Sequence, residues 1–77
     1  MRFFFHLHND ITSADDEGRE FADGDEALAL AQQYARGMAA ESVREGHLDL
    51  SHYIRVADEA GNTLCEVKFG DVIRIVQ

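Results

Sequence analysis

Residues 1–8 read MRFFFHLH, and the alternation within this stretch decides how the rest of the chain is interpreted. Successive side chains of an extended strand lie on opposite faces, so a strand over about residues 2–8 places Phe3, Phe5 and Leu7 on one face. This apolar set is typical of a hydrophobic core. The other face carries an aromatic and potentially basic stripe that requires a partner or solvent: Arg2, Phe4, His6 and His8.

The chain has 77 residues and a single cysteine, Cys65. This length predicts one domain over residues 1–77 with a small core, for which a net stability of only ~3–5 kcal/mol is typical. One cysteine forms neither an intramolecular disulfide nor a cysteine cluster for zinc, and it fits a reducing compartment. Added stability is therefore expected from association, either as a homodimer or with another protein.

The apolar run near the start of the sequence is short. It covers residues 3–5 and is interrupted at His6, well before the ~7–15 apolar residues of a signal peptide. No stretch approaches the ~18 apolar residues of a membrane span. We therefore expect a cytoplasmic protein with no membrane partner.

The formal net charge is −8, and the acidic residues are concentrated in one region. Eight of the fifteen lie between positions 10 and 26, where Arg19 is the only Lys or Arg. Such a surface repels phosphate backbones, so nucleic acid is not the expected partner. The acids lead into a predicted helix, whose N-terminus favours negative charge, and they lack the ligand spacing of an EF-hand calcium loop.

One long helix is predicted between an N-cap at Asp23 and a C-cap at Gly46. Glu26 lies three residues after Asp23, as in a capping box. Gly37, with the neighbouring alanines, forms a small-residue face that predicts close packing against a sheet. Apolar residues recur at three- and four-residue steps and form one stripe: Leu28, Ala31, Ala35, Met38, Ala39 and Val43.

The remaining segments predict strands. A short second strand is expected at 19–21, a third at 52–57 and a fourth at 63–69, with a hairpin turn at 58–62. The apolar segment 72–76 fits either a last short strand or a helical turn.

The predicted fold is therefore α+β, in the order β-β-α-β-β, with a small, mainly antiparallel sheet and one long helix packed on one face. The periodicities of strands and helix together predict which residues are buried in the core: Phe3, Phe5, Leu7, Leu28, Ala31, Met38, Ile54, Val56, Val67 and Phe69.

Several short motifs run through nearly the whole chain: RFFFHL at 2–7, DEG at 16–18 followed by EF at 20–21, VADEAG at 56–61 and VKF at 67–69. Their order and spacing resemble a family of short bacterial domains of unknown function that begin with an Arg-aromatic-Phe-Phe-His-Leu strand. This resemblance implies an independent domain and carries over no catalytic residue.

Residues 15–35 are also similar to small antitoxin domains, in which an acidic turn precedes a helix rich in glutamate and alanine. The chain lacks the proline-rich turn of those domains and a DNA-binding segment. An antitoxin-like regulator remains an alternative.

His6 and His8 are candidate metal ligands. Two residues apart on a strand, their Cβ atoms lie roughly 6.5 Å apart on one face, a distance that two imidazoles can close onto one ion. Asp10 would be the third on that face if the strand continued. The competing interpretation, that both histidines are solvated or packed against aromatic residues, is favoured, and no cofactor is expected.

Catalytic motifs are not evident in the sequence. Cys65 alternates with Val67 and Phe69, which predicts a buried and inert thiol. No nucleophile elbow, triad spacing or glycine-rich phosphate loop is present. We therefore expect no enzymatic activity.

The sheet face away from the helix is the candidate binding face. Aromatic residues flanked by cations can stack single-stranded bases, but the same residue types anchor protein interfaces, and the net charge of −8 favours the protein interface. We predict a small non-catalytic interaction or regulatory domain that self-associates through this face; the alternatives are a metal-binding module using His6 and His8 and a weak nucleic-acid-binding sheet. The residues predicted on this face are Arg2, Phe4, His6, His8, Tyr53, Arg55, Leu64 and Lys68, and Glu66 lies on the same face.

Overall fold

The computed structural model describes residues 1–77 and confirms the α+β class. All strand pairs are antiparallel, and the strand order is β2-β1-β4-β5, with β3 pairing beside β2 on the same edge of β1. No helix is long and apolar enough to cross a membrane. The elements are β1 (Arg2–His8), β2 (Thr12–Ser13), β3 (Arg19–Glu20), α1 (Gly24–Arg44), β4 (Tyr53–Ala57), β5 (Thr63–Lys68) and α2 (Phe69–Val72).

Strand β1 lies at the centre of the sheet. Its register with β4 runs from Phe4 opposite Ala57 to His8 opposite Tyr53. On its other edge, β3 pairs with residues 2–3 and β2 pairs with residues 7–8. Strand β2 was not predicted, because two exposed residues carry no alternation that could reveal a strand.

Helix α1 begins at its predicted cap. Asp23 accepts a hydrogen bond of 3.0 Å from the backbone N–H of Glu26, while the Glu26 carboxylate accepts from Ala22 rather than from the cap itself. The chain leaves the helix through Gly46, whose φ of 93° suits glycine. The N–H of the next residue donates to the carbonyl of Ser42, which completes a Schellman motif.

The contact between α1 and the sheet is made by alanines. Four of them, spaced four residues apart, are fully buried: Ala27, Ala31, Ala35 and Ala39. The prediction that Met38 and Val43 point inward was wrong, since their exposed fractions are 44% and 57%. The helix packs on β4, β5 and α2, and the flank that carries Met38 stands beside a cleft next to β1.

The core lies between these alanines and one face of the sheet. Removing a large apolar side chain from water contributes about 1.5–3 kcal/mol, so the fully buried strand residues dominate its stability. Phe5, Leu7 and Leu28, expected in the core, are only partly buried and pack against it. The strand and α2 residues of the core are Phe3, Ile54, Val56, Val67 and Phe69.

A β-bulge interrupts the β4–β5 pairing. Val56 pairs with Cys65 but Ala57 pairs with Thr63, so Leu64 is an extra residue in β5. Its side chain lies against the start of α1, where a Cβ on Gly24 would come within 3.2 Å of it. The prediction that Leu64 belongs to the open sheet face was therefore wrong, because the bulge reverses the alternation at this position.

A helical turn follows β5, but it includes only the first residue of the last apolar segment, Val72; residues 73–77 form neither helix nor strand. Helix α2 begins at Phe69, which was expected to end the fourth strand, and the Phe69 N–H donates to the carbonyl of His52. The Asp71 carboxylate accepts from the backbone N–H of Lys68. This local cap ends β5 and turns the chain back over the sheet edge.

Gly18 is required by both conformation and space. Its φ is 68°, and a Cβ would lie 2.8 Å from the Phe4 ring and 2.9 Å from the Phe3 carbonyl oxygen. Gly61 also has a positive φ, 86°, but a Cβ added there would meet nothing within 4 Å.

We expect Gly61→Ala to lower the free energy of unfolding by about 1 kcal/mol and Gly18→Ala to lower it by about 1–3 kcal/mol more, measured by urea unfolding. Equal losses would contradict the close approach.

Gly37 does not perform the packing role predicted for it. It is exposed in the middle of α1, and a Cβ would meet nothing within 4 Å. Since glycine in a helix interior costs about 1 kcal/mol relative to alanine, Gly37→Ala should stabilise the fold by roughly that amount in the same unfolding experiment. A loss of stability would indicate a contact that requires glycine.

Candidate functional site

The sheet face away from α1 gathers the predicted binding residues other than Leu64. His8 is opposite Tyr53 and His6 is opposite Arg55 across β1 and β4, and Arg55 is in turn opposite Glu66 on β5. No helix packs on this side. We call this surface the open face; its residues are Arg2, Phe4, His6, His8, Tyr53, Arg55, Glu66 and Lys68.

An aromatic stack lies at one end of the open face. The rings of His8 and Tyr53 are 4.6 Å apart and nearly parallel, with an interplanar angle of 10°. Both residues are half-buried. The His8 Nε2 atom is buried without a hydrogen-bond partner, a state that costs about 1–3 kcal/mol. The stack therefore forms a partly desolvated platform on the sheet.

The charges in the middle of the open face are not neutralised within the chain. Arg55 donates to the Thr63 hydroxyl at 3.2 Å and forms no ion pair with Glu66, although the two are cross-strand neighbours. Lys68 also lacks an ion-pair partner within the chain. Arg2 differs, because its guanidinium pairs with Glu20 at 3.2 Å.

Asp15 links the loop at residues 15–18 to the part of the β1 edge that pairs with neither β2 nor β3. Its carboxylate accepts from the backbone N–H of Phe5 at 3.0 Å and from those of Glu17 and Gly18 at 3.1 Å each. Its own N–H donates to His6 Nδ1 at 3.1 Å. Asp15 therefore fills the gap between β2 and β3. The sequence signal was an aspartate three residues before a turn glycine, which is typical of side-chain-stabilised turns.

These contacts alter the ionisation of Asp15. Partial burial raises its pKa, but the three N–H donors, led by Phe5, and the nearby His6 together hold the pKa below its ordinary value. A depressed carboxyl pKa means that the charged form stabilises the fold above the ordinary pKa, and that this contribution is lost as pH falls through the lowered value.

The histidine pair does not gain the third ligand that was suggested for it. His6 and His8 share the open face, but Nδ1 of His6 is occupied by the Asp15 N–H. Asp10 would have joined them only if the strand continued, but β1 ends at His8, and the Asp10 carboxylate lies 3.5 Å from Nε2 of His52 instead. No group of three or more His, Cys, Asp or Glu side chains is arranged to hold a metal ion.

His52 is a buried polar residue in the loop after α1. Its Nε2 lies 3.3 Å from Asp49 and 3.5 Å from Asp10, so it links the loop after α1 to the β1–β2 turn. Hydrogen bonds from Ser51, followed by the nearby His52, lower the pKa of Asp49. The carboxylate lies between serine and histidine, whereas a nucleophilic triad requires histidine in the middle. The arrangement therefore has a structural role, in which His52 holds the loop after α1 against the β1–β2 turn.

Cys65 is partly buried on the helix side of β5. Burial raises the pKa of its thiol. Since the thiolate is the nucleophilic form, this environment makes the side chain a poor nucleophile.

A concave surface lies on the other side of the sheet from the open face, beside α1. It is a cleft of about 340 Å³, with Phe5, Leu7 and Ile54 as its floor and Tyr34 and Met38 of α1 as one wall; the 15–19 loop forms the opposite wall. We call it the helix-side cleft. Sequence analysis missed it because Met38 was placed in the core.

Comparison with known proteins gives one match. Residues 2–70 match the model of a family described as a domain of unknown function, DUF6894. This match confirms the resemblance to a family of domains of unknown function. No curated protein and no solved structure matches the chain.

Asp15→Asn tests the role of the carboxylate in the fold. The amide cannot accept on both sides, so we expect a loss of about 1–2 kcal/mol near neutral pH, given the partial exposure of the group. The difference from wild type should shrink below about pH 4, as wild-type Asp15 becomes protonated. Asp16→Asn is the matched control. Parallel stability curves for wild type and Asp15→Asn across this pH range would refute the assignment.

Proposed function

The chain belongs to the DUF6894 family, whose description assigns no function, and we propose that it is a non-catalytic self-association domain in which two copies meet through the open face. The observation that carries the proposal is a group of three charged residues on the open face, Arg55, Glu66 and Lys68, none of which forms an ion pair within the chain. They lie on the same face as the His8–Tyr53 stack. Aromatic residues and arginine are the residue types enriched in protein interfaces.

The charge pattern suits a second copy of the same chain. In a two-fold symmetric dimer, a contact from residue i to residue j is repeated from j to i. Arg55 of one copy can therefore pair with Glu66 of the other, and the reverse pair forms at the same time. Because Arg55 and Glu66 are direct cross-strand neighbours, a two-fold axis between them brings both pairs together at the centre of the interface.

The dimensions of the open face indicate the strength of association. Three strands spaced about 4.8 Å apart, each presenting about 20 Å of its length, form a small patch. Such a patch is at the low end of specific interfaces, below about 1,200 Å² in total, where association is weak and reversible. A dissociation constant in the micromolar range is therefore expected.

Charge and chemistry support this function over the alternatives. Nucleic-acid binding requires several cations, but the net charge is −8 and Arg2 is already paired with Glu20. Catalysis is disfavoured by the raised thiol pKa of Cys65 and by the order of side chains around Asp49. A single unpaired cysteine is compatible with a reducing compartment such as the cytoplasm.

Two opposite charge reversals test the dimer. Arg55→Glu gives an open face with glutamate at positions 55 and 66, and Glu66→Arg gives arginine at both. We expect wild type to dimerise over about 5–200 µM in sedimentation velocity, each variant alone to remain monomeric because of repulsion, and an equimolar mixture of the two to form a heterodimer.

The control is Arg44→Glu, which makes the same charge change on an exposed position of α1 and should dimerise like wild type. Circular dichroism establishes that each variant is folded, because like charges opposite each other on two strands are themselves mildly destabilising. A monomeric wild type over this range, or a mixture that does not associate, would rule the proposal out.

A further inference from the structure

We propose that the helix-side cleft binds a basic segment of a partner protein, with one large apolar side chain of that segment inserted against Tyr34 and Met38. This inference concerns the side of the sheet opposite the open face and does not depend on self-association. Each copy would therefore keep its cleft accessible in the proposed dimer.

The cleft has the composition of a binding groove. Tyr34 and Met38 are 39% and 44% exposed, and they stand above the partly buried Phe5 and Leu7. Phe5 makes an edge-to-face contact with the Tyr34 ring at 5.6 Å, which holds that wall in place. Met38, with its flexible thioether, can adapt to an inserted side chain. Large side chains left open in a concave site are typical of recognition surfaces.

The size of the cleft limits the occupant. About 340 Å³ is near the lower end of ligand pockets, which is enough for one or two large side chains but not for a helix face with several anchors. The cleft is open to solvent along one side, so a chain carrying such a side chain could continue past it. A peptide segment with a single anchor fits this shape.

The charges around the cleft indicate the charge of the partner segment. Glu17 and Asp15 lie on the loop side of the cleft. On the other wall, Glu45 follows Met38 by seven residues, so helical periodicity puts it on the same flank of α1. Glu41 follows Tyr34 by the same interval, but it is paired with Arg44 at 3.2 Å.

Arg19 is the one Lys or Arg among the lining residues. It donates to the Tyr34 hydroxyl at 3.4 Å, and its guanidinium lies 5.8 Å from the centre of the Phe21 ring. Both partners are neutral, so Arg19 keeps its charge, but the lining carries two carboxylates, Asp15 and Glu17, against this one guanidinium. An incoming segment with Lys or Arg beside its apolar anchor is attracted on both sides.

Selection from a random dodecapeptide display library, with the purified full-length chain as bait, tests the inference. We expect the enriched peptides to share two or more Lys or Arg residues around a Phe, Trp, Leu or Met. The synthetic form of the most enriched peptide is then titrated by fluorescence anisotropy. Its affinity should fall several-fold between about 50 and about 300 mM NaCl, because the exposed ion pairs are screened.

Two variants locate the site. Met38→Lys should weaken binding about tenfold or more, since it removes an apolar contact and adds repulsion. Glu17→Lys should weaken it several-fold and reduce the salt dependence. Ala40→Lys, which adds a positive charge on the outward face of α1, is the matched control and should bind within about twofold of wild type.

Three results would overturn the inference: no enriched peptide family, an enriched family that is acidic or uncharged, or binding that both Met38→Lys and Glu17→Lys leave unchanged. The monomeric Arg55→Glu variant should bind the peptide as wild type does. Peptide binding and self-association are therefore decided by separate measurements.

Discussion

The antiparallel register between β1 and β4 is the constraint on which the rest of the structure depends. With Phe5 opposite Val56 and Leu7 opposite Ile54, the apolar sides of both strands meet the helix, and their polar sides form one continuous open face. A slip of one residue would exchange the two sides. Asp15 supports this arrangement from the other edge of β1, because its carboxylate accepts the Phe5 N–H where neither β2 nor β3 reaches.

The alanine contact of α1 explains why the chain has two distinct surfaces. A helix whose buried positions are all alanine lies close to β4 and β5, and Tyr34 and Met38, the side chains that it places toward β1, stay partly exposed. The helix side of β1 is therefore only partly covered, and the cleft beside Tyr34 and Met38 results. Because the chain has only one long helix, no second helix covers the opposite face of the sheet.

The two surfaces differ in chemistry as well as in position. The open face carries charges of both signs and suits an identical copy, whereas the helix-side cleft is apolar with acidic rims and suits a basic partner. A dimer through the open face would present two clefts pointing outward. Two weak sites held in one assembly can bind a partner with two basic segments more tightly than either site alone.

Features that depend on local periodicity could be predicted from the sequence alone. The alternation of β1, the N-cap at Asp23, the hairpin and the burial of Phe3, Val56 and Val67 all follow from neighbours along the chain. The open face could also be predicted as a set, because eight of its nine predicted residues keep the alternation of their strands.

Features that depend on contacts between distant segments could not be predicted from local patterns. The bulge that moves Leu64 to the helix side arises from the pairing of β5 with β4. The exposure of Met38 depends on where the α1 axis lies over the sheet, and the place of Asp10 depends on His52, 42 positions away. Periodicity assigns a side chain to a face of its own element, but it cannot say which neighbour, if any, covers that face.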